Sequence, residues 1–417
     1  MPRMFSFLII AGIFLLLDYY AFQAFRVVMR DLSTYPRFTI YAVYWLISLV
    51  AIAGFLFYNL GGKNVLTDGQ RTVLFAWIFV NYASKFFGSV VLVVDDVVRL
   101  GQWAYAQFSP AAENTTNGNT TGISRSEFLA QASVVATVVP AIGLGYGIAS
   151  GAHDYRIHRV KVPVANLPRG LEGMRIAQLS DIHSGSFFNK KAVMHGIEMV
   201  MTEKPDLIFF TGDLVNNEAT EVEDYISVFS KLKAPLGIYS ILGNHDYGDY
   251  TSWPSAKVKQ ANLESVKEAH KLMNWNLLLD ENKTLTIDNN RLAIIGVENW
   301  GTGGFAQYGN LEQAYRGAED ADTRILLSHD PSHWDAQVRP QHPDIELTLS
   351  GHTHGGQVGV EWGSFRWSFV QYRYKQWAGL YQEGDQQLYV NRGFGYIGYP
   401  GRLGIRPEIT LLELTHA

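Results

Sequence analysis

The sequence contains no cysteine, and this absence removes several classes of chemistry at once. Because none of its 417 residues is Cys, disulfides, thiolate metal sites and cysteine nucleophiles are excluded. Charge is also scarce in one part: residues 1–150 carry 9 Lys/Arg and 7 Asp/Glu, against 25 and 32 in the other 267 residues. The second part is therefore acidic by 7, which argues against nucleic acid as a partner, since binding to a phosphate backbone needs a basic surface.

The charge-poor first part contains four apolar stretches long enough to cross a bilayer as helices. A hydrocarbon core about 30 Å thick needs roughly 20 such residues. The stretches cover residues 4–25, 38–60, 72–94 and 129–150. A cleavable signal peptide is the alternative for the first stretch. It is disfavoured because the apolar run is long, no convincing cleavage site follows, and more spans come after it. We expect an all-α membrane region over residues 1–150.

Lys and Arg near the span ends predict the side of the membrane on which the rest of the chain lies. Arg156, Arg159 and Lys161 follow the fourth span, whereas the loop 111–122 is polar and nearly uncharged. This pattern favours a cytoplasmic second part with both chain termini inside. The three arginines between residues 26 and 37 count against it, because they would then lie outside.

Two ionisable residues, Asp18 and Lys85, fall inside the predicted spans. Charges at that depth are costly unless they are paired or hydrated, and they mark either a transport or ligand site or an interhelical ion pair. One acid and one base, without an internal repeat among the four spans, favour the ion pair. We therefore expect the membrane region to be an anchor rather than a carrier.

From about residue 160 the pattern changes to short apolar runs that each end in a polar or glycine cluster. Runs this short and this rich in Ile, Leu and Phe predict buried strands. They cover residues 175–180, 206–211, 237–242, 291–297, 324–328, 345–350 and 388–391. Helical patterns lie between them, at 190–203, 218–232 and 264–272. We therefore expect an α/β domain over residues 172–417, joined to the membrane region by a linker at 151–171.

Five of the predicted strands are followed at once by side chains of metal-binding types. These side chains are Asp181, His183, Asp213, Asn244, His245, Asp246, His329, Asp330, His352 and His354. In open α/β sheets, ligands bind beyond the carboxyl ends of the strands, where residues far apart in sequence converge. Oxygen and imidazole groups without thiolate suit Mn²⁺, Fe or Zn²⁺. One such residue alone is weak evidence, but five strand ends together predict a metal site.

In this order, these residues resemble a known family. The pattern D-x-H … G-D … G-N-H-[DE] … H … G-H-x-H of the calcineurin-like metallophosphoesterases is present in full, within about residues 172–417. GHTHGGQ and the closing RGFGYIGYPGRLGIRPEITLLEL resemble most the membrane-associated bacterial branch, the YkuE/YaeI-like phosphoesterases. The multi-span region lies outside the shared domain. The resemblance implies a four-layer α/β/β/α sandwich and a metal-dependent phosphoric ester hydrolase.

The resemblance also implies two divalent metal ions, either Mn, Fe or Zn. By the motif, one metal would be held by Asp181, His183 and His354, the other by Asn244, His329 and His352, and Asp213 would bridge the two. Two metals roughly 3.5–4 Å apart can clamp a phosphoryl group and acidify a bridging water. A carboxylate has two oxygens and can serve both ions, which makes Asp213 a suitable bridge.

His245 follows a ligand in the motif but is not a ligand in the family. It would contact the phosphate and protonate the leaving oxygen, a role suited to imidazole near neutral pH. Asp246 is a candidate to orient this ring. The family often has Asp three residues after the Gly-Asp pair, and the corresponding residue here is Asn216.

Two other segments are candidates for function. Residues 393–398 fit G-x-G-x-x-G, but no helical pattern follows, so a dinucleotide site is disfavoured. We expect a loop near the metal site, where Arg392 or Arg402 would contact phosphate. Residues 361–381 hold eight aromatics and three basic residues. This composition predicts either a membrane interface or a hairpin that packs its aromatics inward, and both interpretations stay open.

The sequence thus predicts a membrane-anchored dinuclear-metal phosphoesterase, best described as a phosphodiesterase, in which a metal-bridging hydroxide attacks phosphorus. It would lie in the bacterial inner membrane with a cytoplasmic catalytic domain, and its phosphate-ester substrate could be lipid-linked. Two alternatives stay open: a pyrophosphate hydrolase acting on a nucleotide-linked lipid, and a non-catalytic membrane sensor or scaffold. Retention of His245 beside all seven ligand positions argues against the scaffold, because a binding module needs no acid.

Overall fold

The computed structural model describes residues 2–61, 65–108, 124–363 and 365–417. Within it the chain divides into two compact units, Met1–Tyr146 and Gly147–Ala417. The polar loop 111–122, on which part of the orientation argument rests, lies outside the described residues.

The first unit is built from long apolar helices. They are α1 (Pro2–Val28), α2 (Thr34–Gly61), α3 (Asp68–Phe108) and α4 (Arg125–Ala149). Each is long and apolar enough to cross a membrane, so the four predicted spans are confirmed as helices of spanning length. The third is 41 residues long and extends well beyond the predicted span at both ends. Ala51, Ile52 and Tyr82 belong to a buried apolar cluster between the first three helices.

Asp18 and Lys85 form an ion pair inside this helical unit. Lys85 Nζ lies 2.6 Å from Asp18 Oδ1, and the two residues are 4% and 0% exposed. The hydroxyl groups of Ser48 and Tyr82 donate to the two oxygens of the same carboxylate, at 2.8 and 3.1 Å. The ammonium also lies 4.3 Å from the centre of the Tyr44 ring. The interhelical ion pair favoured from the sequence is therefore present.

The second unit contains 14 strands within its described residues. They are β1 (Arg156–Val164), β2 (Arg175–Leu179), β3 (Leu207–Phe210), β4 (Ile238–Ser240), β5 (Asn276–Leu277), β6 (Glu281–Ile287), β7 (Asn290–Gly296), β8 (Thr323–Leu327), β9 (Leu347–Ser350), β10 (Gly359–Trp362), β11 (Phe365–Ser368), β12 (Gly379–Glu383), β13 (Gln386–Val390) and β14 (Glu408–His416). Two sheets have six strands each, in the orders β1-β14-β2-β3-β4-β5 and β12-β13-β9-β8-β7-β6, and β10 pairs with β11 as a separate hairpin. All seven strands predicted from the sequence are among them.

Helices cover the outer face of each sheet. They are α5 (Lys190–Thr202), α6 (Ile226–Phe229), α7 (Ala256–Leu272), α8 (Leu311–Tyr315) and α9 (Arg339–Gln341). Residues 219–225 of the predicted helix at 218–232 form a 3₁₀ helix, and only the four residues of α6 are α-helical. The helix predicted at 264–272 begins earlier than expected, at the start of α7, where the Ser255 side chain caps it by accepting from Val258 N.

Three apolar clusters define the layers. Phe209 and Leu349 meet in a cluster between the two sheets. Val193 of α5 belongs to a second cluster on the outer face of the first sheet, and Trp334 to a third on the outer face of the second sheet. Successive side chains of a strand point to opposite faces, so each central strand supplies both an inner and an outer cluster. The predicted α/β/β/α sandwich is thus confirmed.

The segment predicted as a linker, 151–171, is instead part of the second unit. Its strand β1 pairs in parallel with β14 from Arg156 to Val164. Val162 and Val164 are 0% and 1% exposed and belong to the cluster between the sheets. From Arg159 to Val164 more exposed residues alternate with more buried valines, the pattern expected of an edge strand.

Breaking the buried ion pair is expected to destabilise the chain. Lys85→Met leaves the Asp18 carboxylate buried without its cation, which costs about 3–5 kcal/mol. The double variant Asp18→Leu/Lys85→Met removes both charges and should regain most of that loss. Thermal unfolding of the full chain in detergent measures both effects. Glu127→Gln, which breaks a more exposed pair with Arg30, is the matched control. A Lys85→Met variant that melts like the wild type would contradict a stabilising role for the pair.

Candidate metal centre

The predicted ligands come together where the strands of both sheets end. β2, β3 and β4 are parallel neighbours in the first sheet, and β8 and β9 are parallel neighbours in the second. Because the carboxyl ends of parallel strands lie at one edge of a sheet, the residues that follow them meet there. All seven predicted ligand positions are brought together: Asp181, His183, Asp213, Asn244, His329, His352 and His354.

Asp181, His183 and His354 form the first group of potential ligands. One ligand atom from each lies within 4.8 Å of the others, and all three residues are buried. The Nε2 atoms of the two histidines are 3.0 Å apart, and His354 Nε2 is 3.4 Å from Asp181 Oδ1. Three donor atoms are therefore directed at one small volume.

Asp213, His329 and His352 form the second group, with Asn244 beside them. Asn244 Oδ1 lies 3.1 Å from His329 Nε2 and 2.8 Å from His352 Nδ1. His329 Nδ1 donates to the Thr211 carbonyl at 2.7 Å, which directs the other ring nitrogen into the group. A second hydrogen bond of this kind is how proteins fix the tautomer of a metal-binding histidine.

Asp213 is shared by the two groups. Its Oδ2 atom is 3.1 Å from His329 Nε2 and 3.5 Å from His183 Nε2. Its Oδ1 atom accepts a hydrogen bond from the main-chain N–H of His245 at 2.8 Å. The position of Asp213 between the two groups is the one expected of a bridging carboxylate.

The main chain at this site is strained. Five of the predicted ligands have positive φ: Asp181 (51°), His183 (49°), Asp213 (62°), His352 (68°) and His354 (51°). Such conformations cost about 1–3 kcal/mol each outside glycine and concentrate at functional sites. Space is equally restricted, because a Cβ on Gly351 would lie 2.2 Å from Asp181 Oδ2 and one on Gly243 would lie 2.2 Å from Asp213 Oδ1. The turns therefore need glycine beside the ligands.

Asp246 does not orient His245, contrary to the expectation from the sequence. Its carboxylate instead accepts main-chain N–H groups at 2.8–3.1 Å. The donors are Asp213, Leu214, Val215 and Gly243. Asp246 thus holds the turn after β3 against the turn after β4.

The main-chain carbonyl of Asn216 is what orients His245. His245 Nδ1 lies 2.8 Å from Asn216 O, and the ring centre is 4.9 Å from that of His183. The main-chain N–H of Asn216 in turn donates to Glu221, whose carboxylate also accepts from residues 217 and 218. Because Asn216 acts through its main chain, the difference from the family's Asp at this position does not disturb His245.

Two residues near His352 were not predicted. The Tyr374 hydroxyl lies 2.7 Å from His352 Nε2, and the buried Asp330 Oδ2 lies 3.6 Å from the same nitrogen. Because both residues lie at Nε2 of His352, its Nδ1 is the ring nitrogen that faces Asn244. Asp330 is among the side chains noted after the predicted strands, but the sequence assigned it no role. Nothing in the sequence pattern marks Tyr374.

The two arginines expected near phosphate have other partners. Arg392 forms ion pairs with Glu361 and Glu408 at 2.7 and 2.6 Å. Arg402 is 0% exposed and donates to main-chain carbonyls, among them that of His354 at 2.8 Å. Arg392 is thus committed to two carboxylates and Arg402 to main-chain carbonyls, so the structure does not bear out a phosphate contact for either.

Burial controls the protonation of the site. It lowers the pKa of His183 to about 3 and that of His352 to about 4, and it holds the pKa of His354 well below its usual value. Burial also acts to lower the pKa of His329, but the Asp213 carboxylate outweighs it and raises that pKa to about 10. Three imidazoles are thus neutral, which is the form that binds metal, whereas a metal at His329 must displace a proton.

These residues fit a pair of divalent cations. The donors are carboxylate, carboxamide and imidazole groups without thiolate, a set that suits Mn²⁺, Fe and Zn²⁺. Their atoms converge in two groups that share one carboxylate. The Nε2 atoms of His183 and His354 are 3.0 Å apart, so one cation could bind both of them.

The comparisons with known proteins agree with this geometry. Residues 174–356 match the family description "Calcineurin-like phosphoesterase", and residues 3–152 match "Probable Calcineurin-like phosphoesterase, transmembrane domain". YkuE of Bacillus subtilis strain 168, an uncharacterised metallophosphoesterase, is 31% identical over 70% of this chain and 98% of its own length. The chain belongs to the calcineurin-like metallophosphoesterase family. It is thus a membrane protein of a family of phosphoester hydrolases that use divalent metals.

Three other metallophosphoesterases differ in how much of the chain they share. The bovine transmembrane protein with metallophosphoesterase domain is 32% identical over 69% of this chain. The chain spans 62% of the length of that relative and 63% of the length of its zebrafish counterpart. A metallophosphoesterase of Helicobacter pylori strain 26695 is 25% identical over 96% of this chain and 95% of its own length. The last match therefore includes the membrane helices.

Removing the Tyr374 hydroxyl is expected to weaken metal binding by this metallophosphoesterase. In Tyr374→Phe, His352 Nε2 loses its 2.7 Å partner and the ring its fixed orientation. Loss of such a partner typically weakens metal affinity roughly 10–100-fold. Calorimetric titration of Mn²⁺ into the metal-stripped full chain measures the change. Tyr372→Phe, at a 77% exposed neighbour, is the control. Equal Mn²⁺ affinities for the two variants would contradict the role given to Tyr374.

Proposed function

We propose that this chain is a membrane-anchored phosphodiesterase with a dinuclear metal centre. The observation that carries the proposal is the position of Asp213, whose Oδ2 atom lies 3.5 Å from one histidine of the first group and 3.1 Å from one of the second. A carboxylate shared between two ligand groups is the arrangement that a two-metal hydrolase requires. Family membership supports the reaction class, phosphoester hydrolysis.

We assign the ligands as the motif implies. Asp181, His183 and His354 hold one metal, Asn244, His329 and His352 hold the other, and Asp213 serves both. Two divalent cations at these positions supply the positive charge that binds a phosphoryl group and lowers the pKa of water. Asn244 is neutral, so the centre keeps more of that charge for an anionic substrate.

We assign His245 as the general acid for the leaving oxygen. Its Nδ1 is held by the Asn216 carbonyl, so its Nε2 is the nitrogen available for proton transfer. Its main chain is hydrogen-bonded to the proposed bridging residue Asp213, which fixes its distance from the reacting phosphate. The ring is only partly buried, and the Tyr250 ring lies 4.5 Å from it on the outside. A positioned acid of this kind contributes about 10²–10⁴ to the rate.

We further propose that the catalytic unit faces the cytoplasm from a bacterial inner membrane. The basic residues after the fourth span support this orientation by the positive-inside rule. The likeness to two bacterial metallophosphoesterases over 98% and 95% of their own lengths supports a bacterial origin. The substrate is then a phosphate ester present at the inner face of that membrane or in the cytoplasm, and a lipid-linked pyrophosphate remains a candidate that the assay must include.

The proposal predicts Mn²⁺-dependent hydrolysis of bis-p-nitrophenyl phosphate by the purified full chain. Asp213→Ala should abolish turnover and reduce the metal bound per chain, because both ligand groups lose a member. His245→Ala should keep its metal content while kcat falls by about 10²–10⁴. Metal content is measured by plasma emission on the same samples that are assayed.

His195→Ala is the matched control, since His195 is an exposed histidine of α5 whose side chain is 70% accessible. Parallel assays with p-nitrophenyl phosphate and with lipid diphosphates identify the preferred bond. If a lipid diphosphate is cleaved faster than the diester, the chain is a pyrophosphate hydrolase and the phosphodiesterase assignment is wrong. If the wild type, Asp213→Ala and His245→Ala are equally inactive with Mn, Fe and Zn, the enzyme proposal is contradicted and the non-catalytic scaffold is favoured.

A further inference from the structure

The hairpin β10–β11 has two faces of opposite polarity. Its register pairs Val360 with Trp367 and Trp362 with Phe365, so these four side chains lie on one face of the two strands. The other face carries the pair of Glu361 and Arg366 and the pair of Gly359 and Ser368. One face is therefore entirely apolar and the other is largely polar.

The polar face is turned toward the protein. Glu361 forms an ion pair with Arg392 at 2.7 Å. The Arg366 guanidinium donates to the carbonyl of Ala378. Ser368 is 0% exposed, and its hydroxyl donates to the carbonyl of Val358 at 3.0 Å. The charged side chains of the hairpin thus have partners on its protein side, which is the reverse of the usual arrangement at a protein surface.

The apolar face is turned outward. Trp362 is 84% exposed, Phe365 58% and Val360 48%, and the surface continues over Phe369 and Tyr372. Trp377, by contrast, is buried, so only part of the aromatic segment at 361–381 packs inward. We call these outward side chains the aromatic face: Val360, Trp362, Phe365, Trp367, Phe369 and Tyr372. A contiguous apolar surface of this kind marks an interaction site.

Main-chain hydrogen bonds connect the base of this hairpin to Gly147, at the start of the second unit. Gly147, in the last turn of α4, is the first residue of the second unit. Its carbonyl accepts from Arg402 N at 3.1 Å, and the next residue, Leu403, accepts from Gly359 N at 2.9 Å. Arg402 and Leu403 therefore link Gly147 to the first residue of β10.

We propose that the aromatic face binds the lipid–water interface of the membrane that the chain spans. Trp, Tyr and Phe beside apolar Val are the side chains that prefer this interface. The face has no charged side chain that would specify a protein partner. Its base is hydrogen-bonded to Gly147, the residue that directly follows the membrane-spanning unit in the chain. The proposal concerns lipid contact alone and does not depend on the proposed catalytic activity.

The absence of native cysteine makes a direct test possible. Trp362→Cys, Phe365→Cys and Tyr372→Cys each place one thiol on the aromatic face of the full chain. Each is labelled with a nitroxide after reconstitution into vesicles of phosphatidylethanolamine and phosphatidylglycerol in equal parts. Electron paramagnetic resonance then measures collision of the label with oxygen, which concentrates in lipid, and with a water-soluble nickel chelate. Leu272→Cys, at a 56% exposed residue of α7, is the reference position.

Lipid contact predicts a ratio of oxygen to nickel accessibility several-fold higher at the three face positions than at the Leu272 position. Nickel accessibility equal to that at the reference position would overturn the proposal, because the face would then be in water. Low accessibility to both reagents would overturn it as well, since the face would then be covered by protein, such as a second copy of the chain. Thermal unfolding of each labelled variant confirms that the fold is retained, and three positions guard against the failure of one.

Discussion

Four main-chain N–H groups donate to the Asp246 carboxylate, and the candidate metal centre depends on that arrangement. Three donors belong to residues 213–215 and the fourth to Gly243, so one buried acid ties the turn after β3 to the turn after β4. Asp213 has positive φ, a conformation that costs about 1–3 kcal/mol. An ordinary hydrogen bond contributes about 0.5–1.5 kcal/mol, so the four together offset that cost. The position of Asp213 between the two ligand groups is thus held by the protein itself.

The second sheet is joined to the first by the same kind of contact. The main-chain N–H of His352 donates to both oxygens of Asp181, at 2.9 and 3.0 Å. Below it, the Gln178 side chain donates to the Ser350 carbonyl at 2.9 Å. Each group of potential ligands draws on both sheets, so the centre exists only when the sandwich is closed. The buried carboxylates at this seam favour cations there, since unpaired buried charge is costly.

The sequence was informative wherever function is carried by side chains at the ends of regular strands. His352 and His354 could be placed because a buried strand precedes them and because their side-chain types match a metal site. Tyr374 could not, because its contact with His352 depends on how a distant loop folds back. The role of Asn216 was equally hidden, since it acts through a carbonyl that every residue has. The edge strand β1 was missed for a different reason: its partner β14 lies at the far end of the chain.

Both units pair charged side chains inside the protein and expose apolar ones. In lipid, a polar group must be satisfied within the protein, and Asp18 and Lys85 meet that condition by pairing in the bundle. In the hairpin of the second unit, Glu361 is likewise paired on the protein side, with Arg392, while Trp362 is exposed. Only six residues separate the end of α4 from β1, which limits the gap between them to about 20 Å. Any ligand held in the same membrane would be met at a raised effective concentration, because tethering confines both partners to one surface.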